Sequence, residues 1–181
     1  MKKTIAALLL SPLLILVTYS QASADGHLPP AKKMQVAEGL SKAEADKVIN
    51  AGLTIFAFWN SGDEKYAKDI LPENFIDRNL PEGRPPGLKG VLWASKGFRT
   101  AVPDLKCSVE EMYVMKGRVV GRLLFTGTFT GTFGEHKGKG QKISFQAVDI
   151  YNVGDDGKII DGWHLEDYLT LFKQMGTVEM K

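Results

Sequence analysis

The chain has 181 residues, of which 44% are hydrophobic and 24% charged, and its formal net charge is +2. This length suits one domain with a single core and is short for two ordinary domains. So small a net charge gives no basic surplus of the kind that binds nucleic acid. The single cysteine, Cys107, excludes an internal disulfide.

Residues 1–24 have the pattern of a secretory signal peptide. Two lysines follow the initial methionine, an apolar run covers 5–17, and small residues at 22–24 provide a cleavage site before Asp25. The apolar run is shorter than the roughly 20 residues that a membrane-spanning helix needs. Cleavage removes both lysines and no acid, which leaves 21 basic and 21 acidic residues. We therefore predict a bacterial protein that is exported to the periplasm or secreted, with no membrane association in its mature form.

The mature chain is predicted to begin with a flexible leader over 25–40, followed by one domain over 41–181. Ser41 and Glu44 form a capping-box pattern, and apolar residues then recur at helical spacing as far as Trp59. Further along, the pattern predicts a short helix over 64–70, a proline-rich loop over 72–86 and a helix over 88–100.

From residue 105 the apolar spacing changes to two, which is typical of β-strands. The pattern predicts strands over 105–115, 118–133, 142–153 and 158–166, and a closing helix over 169–175. Glycines inside the second strand indicate bends or bulges that curve the sheet. Helices followed by a curved antiparallel meander give an α+β fold whose concave sheet face encloses a ligand pocket.

Alternation along the last strand separates two sets of side chains. Trp163 and Asp167 share one face, and His164 lies on the other. Apolar surface beside a carboxylate disfavours its charged form, which raises the pKa of Asp167 toward values useful to a general base. Asp167 also precedes a predicted helix, where an aspartate is a good N-cap, so both roles stay open.

The third strand places Phe145, Asp149 and Tyr151 on one face. If Asp149 and Asp167 line one cavity, the two carboxylates share a proton and the pKa of one of them rises. The alternative is a structural ion pair across the sheet between Asp149 and an arginine of the preceding strand, such as Arg122.

Several strings, taken in order, resemble the SnoaL-like polyketide cyclase, or ester cyclase, branch of the nuclear-transport-factor-2-like (NTF2-like) superfamily. They are FRTAVPDL (98–105), GTFTG (127–131), FQAVDIY (145–151) and GKIIDGWHLED (157–167). The resemblance covers residues 41–176. It implies a cone-shaped barrel in which N-terminal helices pack on a curved, mainly antiparallel sheet around a deep cavity.

The resemblance also implies chemistry. The cyclases with this pattern close a ring by an intramolecular aldol step without cofactor or metal, and an aspartate at the end of the last long strand acts as general base and acid. The matching position is Asp167, and Asp149 is the second catalytic candidate. Phe129 stands where the family's Gly-Thr-His-Thr-Gly string has its histidine, so that imidazole is missing here. The candidate substrate-binding residues are Trp59, Arg122, Phe145, Tyr151, Trp163 and His164.

The first functional hypothesis is cofactor-free, aldol-type acid/base chemistry on a small hydrophobic carbonyl compound. Export argues against a biosynthetic cyclase, because such substrates are assembled in the cytoplasm. The alternatives are therefore a non-catalytic binding protein for a hydrophobic small molecule, and a hydratase or isomerase on the same scaffold. Outside the leader only His136 and His164 remain, too few histidines to favour a three-ligand metal site. The sequence leaves open whether the protein forms a homo-oligomer.

Overall fold

The computed structural model describes residues 30–178, so the predicted signal peptide and the first part of the predicted leader lie outside the described residues. Within this range there are four helices: α1 (Lys42–Ser61), α2 (Glu64–Ile70), α3 (Gly87–Ala101) and α4 (Tyr168–Met175). The same range contains eight strands: β1 (Met34–Val36), β2 (Ile76–Asp77), β3 (Lys106–Met115), β4 (Arg118–Phe129), β5 (Thr132–Phe133), β6 (His136–Lys137), β7 (Gln141–Val153) and β8 (Ile159–Glu166). No helix in the described part of the chain has the length and apolar character needed to cross a bilayer.

Helix α1 begins at the capping box that the sequence predicts. The backbone N–H of Glu44 donates to Ser41 Oγ, and the backbone N–H of Ser41 donates to the Glu44 carboxylate at 2.9 Å. The helix ends at Gly62, whose φ of 76° lies in the left-handed region that glycine adopts readily. Between these ends, one face of α1 is fully buried at Ile55 and Phe56 and packs on β3 and β4.

Six strands form one sheet in the order β1-β3-β4-β7-β8-β2. The four central strands pair antiparallel, whereas β1 and β2 pair in parallel with β3 and β8 at the two edges. The helices cover the concave face, where alternate residues of β4 and β7 are buried. The predicted α+β class and the mainly antiparallel, curved sheet are confirmed.

The sequence predicts a flexible leader over 25–40, but its described part is tied to the sheet. Residues 34–36 form β1, and backbone hydrogen bonds of 2.9 Å join Lys32 N–H to Val109 C=O and Ala37 N–H to Val114 C=O. Three residues are too few for a period-two pattern to be visible, which is why the sequence did not reveal this edge strand.

The predicted strand 118–133 is shorter in the structure, since β4 ends at Phe129. The backbone of Gly131 then lies so close to the end of α3 that a Cβ there would stand 1.8 Å from the carbonyl oxygen of Thr100. The chain turns at this contact, and the small hairpin β5–β6 replaces the last residues of the predicted strand.

The packing of α1 on the sheet depends on a glycine. An added Cβ at Gly121 of β4 would stand 2.4 Å from Cζ of the buried Phe56 ring. We expect Gly121→Ala to lower the free energy of unfolding by about 1–3 kcal/mol, because the close-packed core must shift to admit a methyl group. Urea titration followed by circular dichroism measures the change.

Gly97→Ala is the matched control. Gly97 lies in α3 with no atom within 4 Å of the added Cβ, so alanine should leave stability unchanged or raise it by about 0.5–1 kcal/mol. Equal effects of the two substitutions would contradict this account of the packing.

Candidate active site

A cavity lies between the helices and the concave face of the sheet. Most of its wall is apolar. Phe145 of β7 stacks on Phe125 at a centroid distance of 5.2 Å and on Phe98 at 6.1 Å, which forms one aromatic side of the cavity. The polar side chains collect at the other end, and they are Asp77, Arg84, Asp149, Tyr151, His164 and Glu166. A largely apolar lining with polar groups at one end suits a small hydrophobic molecule with a few polar atoms.

The pairing of β7 with β8 brings the two central groups of this polar end together. Asp149 and His164 are direct partners in the antiparallel register, and both side chains point to the concave face. Tyr151 is paired with Gly162, and an added Cβ at Gly162 would stand 2.5 Å from the Tyr151 ring. Glycine at this position therefore leaves the space in which the Tyr151 ring lies.

Asp149 is one of the buried carboxyl groups of the site, with 4% of its surface exposed. Tyr151 Oη donates to Asp149 Oδ2 at 2.9 Å, and Trp59 Nε1 lies 3.4 Å from the same Tyr151 oxygen. Burial raises the pKa of Asp149 to about 7, with a further contribution from the negative charge of Glu166. The hydrogen bond from Tyr151 and the positive charge of His164 oppose this rise. Near neutral pH the carboxyl group can therefore both accept and return a proton.

His164 lies between two carboxylates. Its Nδ1 is 2.9 Å from Glu166 Oε1, and its Nε2 is 3.2 Å from Asp77 Oδ2. Burial disfavours the imidazolium, but the hydrogen bonds to both carboxylates outweigh burial and raise the pKa of His164 to about 10. Arg84 Nη1 donates to the same Asp77 oxygen at 3.3 Å. Among residues 30–178, no group of three or more histidine, cysteine or acidic side chains is arranged to hold a metal ion.

Of the residues that the sequence singled out, five line the cavity and three do not. The five are Trp59, Phe145, Asp149, Tyr151 and His164. Trp163 lies on the outer face of β8 with 38% of its surface exposed. Arg122 also points outward, where it donates to Glu111 Oε1 and Gln146 Oε1, both at 3.0 Å. Asp149 and Arg122 therefore lie on opposite faces of the sheet, and the proposed ion pair between them does not form.

Asp167 lies outside the cavity, contrary to the expectation that it faces the substrate. It is the exposed N-cap of α4, and its carboxylate accepts hydrogen bonds from Thr170 N–H at 3.0 Å and Thr170 Oγ1 at 2.6 Å. These bonds hold the pKa of Asp167 below its usual value. The physical reason is the phase of β8, whose inward face carries Gly162, His164 and Glu166 rather than Trp163 and Asp167.

Three polar residues of the cavity were not identified as site residues from the sequence. Glu166 had a usable signal, because it lies two residues from His164 and so on the same strand face. Asp77 and Arg84 had none, since both fall in the stretch predicted as loop. Asp77 reaches the cavity because β2 pairs with β8, where it is the register partner of Gly162.

These features define a class of protein: an α+β cone of the NTF2-like type, with a largely apolar cavity whose polar end holds the buried carboxyl group of Asp149. The chain matches the family model for SnoaL-like polyketide cyclase over residues 51–175, and it belongs to that family. The resemblance seen in the sequence, and the fold that it implied, are confirmed.

Solved structures agree with this assignment. A candidate polyketide cyclase from Bacillus cereus is 39% identical, with a TM-score of 0.74 over 84% of this chain and 95% of that one. A candidate SnoaL-like cyclase from a Jannaschia species shares the fold at 17% identity and a TM-score of 0.67, covering 79% and 100% of the two chains. The candidate hydroxylase AclR of Streptomyces galilaeus shares the fold at 22% identity and a TM-score of 0.66, covering 76% of this chain and 89% of that one. Comparison with curated proteins gives no significant match.

The burial of Asp149 has a measurable effect on stability. Its folded pKa of about 7 lies above its ordinary value of 3.8, so the folded state binds more protons between these values and stability falls as the pH rises through them. Asp149→Asn removes this penalty and keeps an acceptor for Tyr151. We expect it to raise the melting temperature at pH 8 by about 5 °C or more, and by less at pH 5.

Asp161→Asn should act in the opposite direction in the same thermal unfolding scans. Asp161 accepts hydrogen bonds from Arg78 and Asn152, which lower its pKa, so removing its charge should destabilise the protein at pH 8. Destabilisation of similar size by both substitutions at pH 8 would contradict the assignment of Asp149 as a carboxylate that burial disfavours.

Proposed function

We propose that the protein is an enzyme that carries out cofactor-free, aldol-type acid/base chemistry on a small hydrophobic carbonyl compound held in the cavity. The observation that carries this proposal is the position of Asp149. It is a buried carboxyl group at the polar end of a largely apolar cavity, and burial raises its pKa to about 7. Membership of the SnoaL-like family supports the same kind of reaction.

The reaction that fits this geometry begins with ionised Asp149, which removes a proton from the carbon next to the substrate carbonyl. The electron pair of the broken C–H bond forms an enolate, whose carbon attacks a second carbonyl of the same molecule and closes a ring. Protonated Asp149 then returns its proton to the new alkoxide, so one group completes the cycle. The positive charge of His164, the cross-strand partner of Asp149, favours the negative charge that develops on the substrate.

A second candidate function is the binding and transport of a hydrophobic small molecule without turnover. The stacked aromatic wall of Phe98, Phe125 and Phe145 and the predicted export of the chain favour it. Isomerase chemistry starts with the same proton transfer, whereas a hydratase takes its first proton from water and then protonates the substrate carbon; both would use the same carboxyl group. Proton exchange at the substrate carbon therefore distinguishes catalysis of any of these kinds from binding alone.

The catalytic proposal is tested by Asp149→Asn. Wild-type protein should catalyse solvent deuterium incorporation next to the carbonyl of β-keto esters and diketones, followed by proton NMR. Asp149→Asn should lower the rate by about 10² to 10⁴, because the proton-transfer group is lost while the cavity keeps its shape.

Asp167→Asn is the control for this experiment, since asparagine caps a helix nearly as well as aspartate. Its exchange rate should equal that of the wild type. Unchanged exchange in Asp149→Asn, or a loss confined to Asp167→Asn, would overturn the assignment. Saturable ligand binding without exchange for any compound of the panel would support the binding function instead.

Export is also part of the proposal, because residues 1–24 have the three-part signal pattern. Expressed in a bacterial host with an intact secretion system, the full chain should reach the periplasm or the medium with Asp25 as its first residue. Intact mass spectrometry of the fractionated protein gives the start site. A chain that keeps Met1 in the cytoplasmic fraction would contradict export, and deletion of residues 2–24 provides the cytoplasmic reference.

A further inference from the structure

The two ring nitrogens of His164 both face acceptors. A neutral imidazole has one N–H donor and one acceptor nitrogen, whereas ionised carboxylates only accept. Glu166 Oε1 lies 2.9 Å from Nδ1 and Asp77 Oδ2 lies 3.2 Å from Nε2, and both can accept a hydrogen bond from the ring only if the ring carries two protons. The shorter of the two contacts at Nε2 is the one to Asp77, at 3.2 Å against 3.4 Å to Arg84 Nη1, and it favours the imidazolium, in which both N–H groups have carboxylate partners.

Asp77 is itself held in place as an anion. Arg84 Nη1 lies 3.3 Å from the Asp77 oxygen that faces His164, and the two side chains are only 10% and 4% exposed. Burial opposes the charge of Asp77, but hydrogen bonds from His164 and from the backbone N–H of Asn79, with the positive charges of His164 and Arg84, hold the pKa of Asp77 below its usual value. Arg84 Nη1 also lies 3.4 Å from His164 Nε2, so Arg84 is the donor that a neutral ring would accept from, and Asp77 is the acceptor that a charged ring donates to.

The charged and titratable groups around His164 come from every element packed against it. They are Asp77 of β2, Arg84 of the segment before α3, Asp149 and Tyr151 of β7, Glu166 of β8 and Tyr168 of α4. The positive charges of His164 and Arg84 balance the negative charges of Asp77 and Glu166. Asp149 is the remaining carboxyl group, and no cation lies within ion-pair distance of it in the described structure.

We propose that Asp77 is a positioning residue that keeps His164 permanently protonated, so that His164 acts as a fixed cation opposite Asp149 and takes no part in proton exchange with the substrate. The catalytic half of this inference rests on the proposed function, whereas the charge state of His164 does not. In Asp77→Asn, the ring loses one of its two anionic acceptors and faces an amide beside Arg84. The neutral ring then becomes accessible near neutral pH.

The charge state is tested by NMR of protein labelled with ¹⁵N-histidine, with the His164 signals assigned from their loss in His164→Gln. In the wild type both ring nitrogens should show imidazolium shifts at pH 8 and keep them to pH 9. In Asp77→Asn the pKa of His164 should fall below about 8. Asp161→Asn is the matched control, because it removes a carboxylate from the same β2–β8 junction outside the cavity and should leave the His164 signals unchanged.

A neutral His164 in the wild type at pH 8 would overturn the inference, and this measurement needs no variant that folds poorly. A His164 that keeps its charge in Asp77→Asn would equally overturn the role of Asp77. If Asp77→Asn does not fold, Arg84→Gln, which keeps the carboxylate and removes the neighbouring cation, should leave His164 charged at pH 8 and should not lower its pKa. A fall in the pKa of His164 in that variant would overturn the role of Asp77.

The catalytic half is tested by the pH dependence of kcat/KM for the exchange reaction. The wild type should show one ionisation near pH 7 and a plateau to pH 9, whereas Asp77→Asn should lose activity above the lowered pKa of His164. A wild-type profile with a second ionisation that follows His164 in the NMR titration would overturn the fixed-cation role. If the protein catalyses no exchange although NMR shows that His164 is charged, the proposed function is contradicted and the charge assignment is supported.

Discussion

The polar end of the cavity depends on one constraint: ionised side chains that are removed from water need hydrogen-bond or ion-pair partners. Taking a carboxylate or an imidazolium out of water costs several kcal/mol per ion unless partners replace the solvent. Here β8 supplies His164 and Glu166, and β2 supplies Asp77, whose partner Arg84 comes from the segment that follows. The short parallel strand β2 is therefore part of the site, because its pairing with β8 sets the distance between Asp77 and the imidazole.

The same arrangement leaves Asp149 in an unfavourable environment. Tyr151 satisfies one carboxylate oxygen, but no cation lies within ion-pair distance in the described structure, and burial disfavours the charge. The charges of the neighbouring groups Asp77, Arg84, His164 and Glu166 are paired with one another. Among the described carboxyl groups of the cavity, Asp149 alone pays the free-energy cost of ionising in a buried environment. A carboxyl group that loses its proton with difficulty in the folded state is also one that takes a proton back readily, which is what a group acting as base and then acid requires.

Much of the fold could be predicted from the sequence, because long periodic segments such as α1 and β7 carry a strong signal, and the capping box at Ser41 fixes the start of α1. The short elements could not be predicted in this way. β1 and β2 have three and two residues, and their pairing is decided by contacts distant in the chain. In the site, alternation sorted the residues of β8 into two sets but could not say which set faces inward. That choice follows from Gly162, which makes room for the Tyr151 ring.

Asp149 and Asp167 show why a motif position alone does not assign a catalytic role. Asp149 lies within β7, whereas Asp167 directly follows β8, and the family pattern pointed to Asp167. Asp167 is exposed, accepts two hydrogen bonds from Thr170 and has a lowered pKa, so it is a weak base whose charge is already stabilised. Asp149 is buried and its proton affinity is raised. Proton transfer to carbon acids near neutral pH favours the carboxylate with the higher proton affinity, provided that it faces the substrate, and of the two only Asp149 lines the cavity.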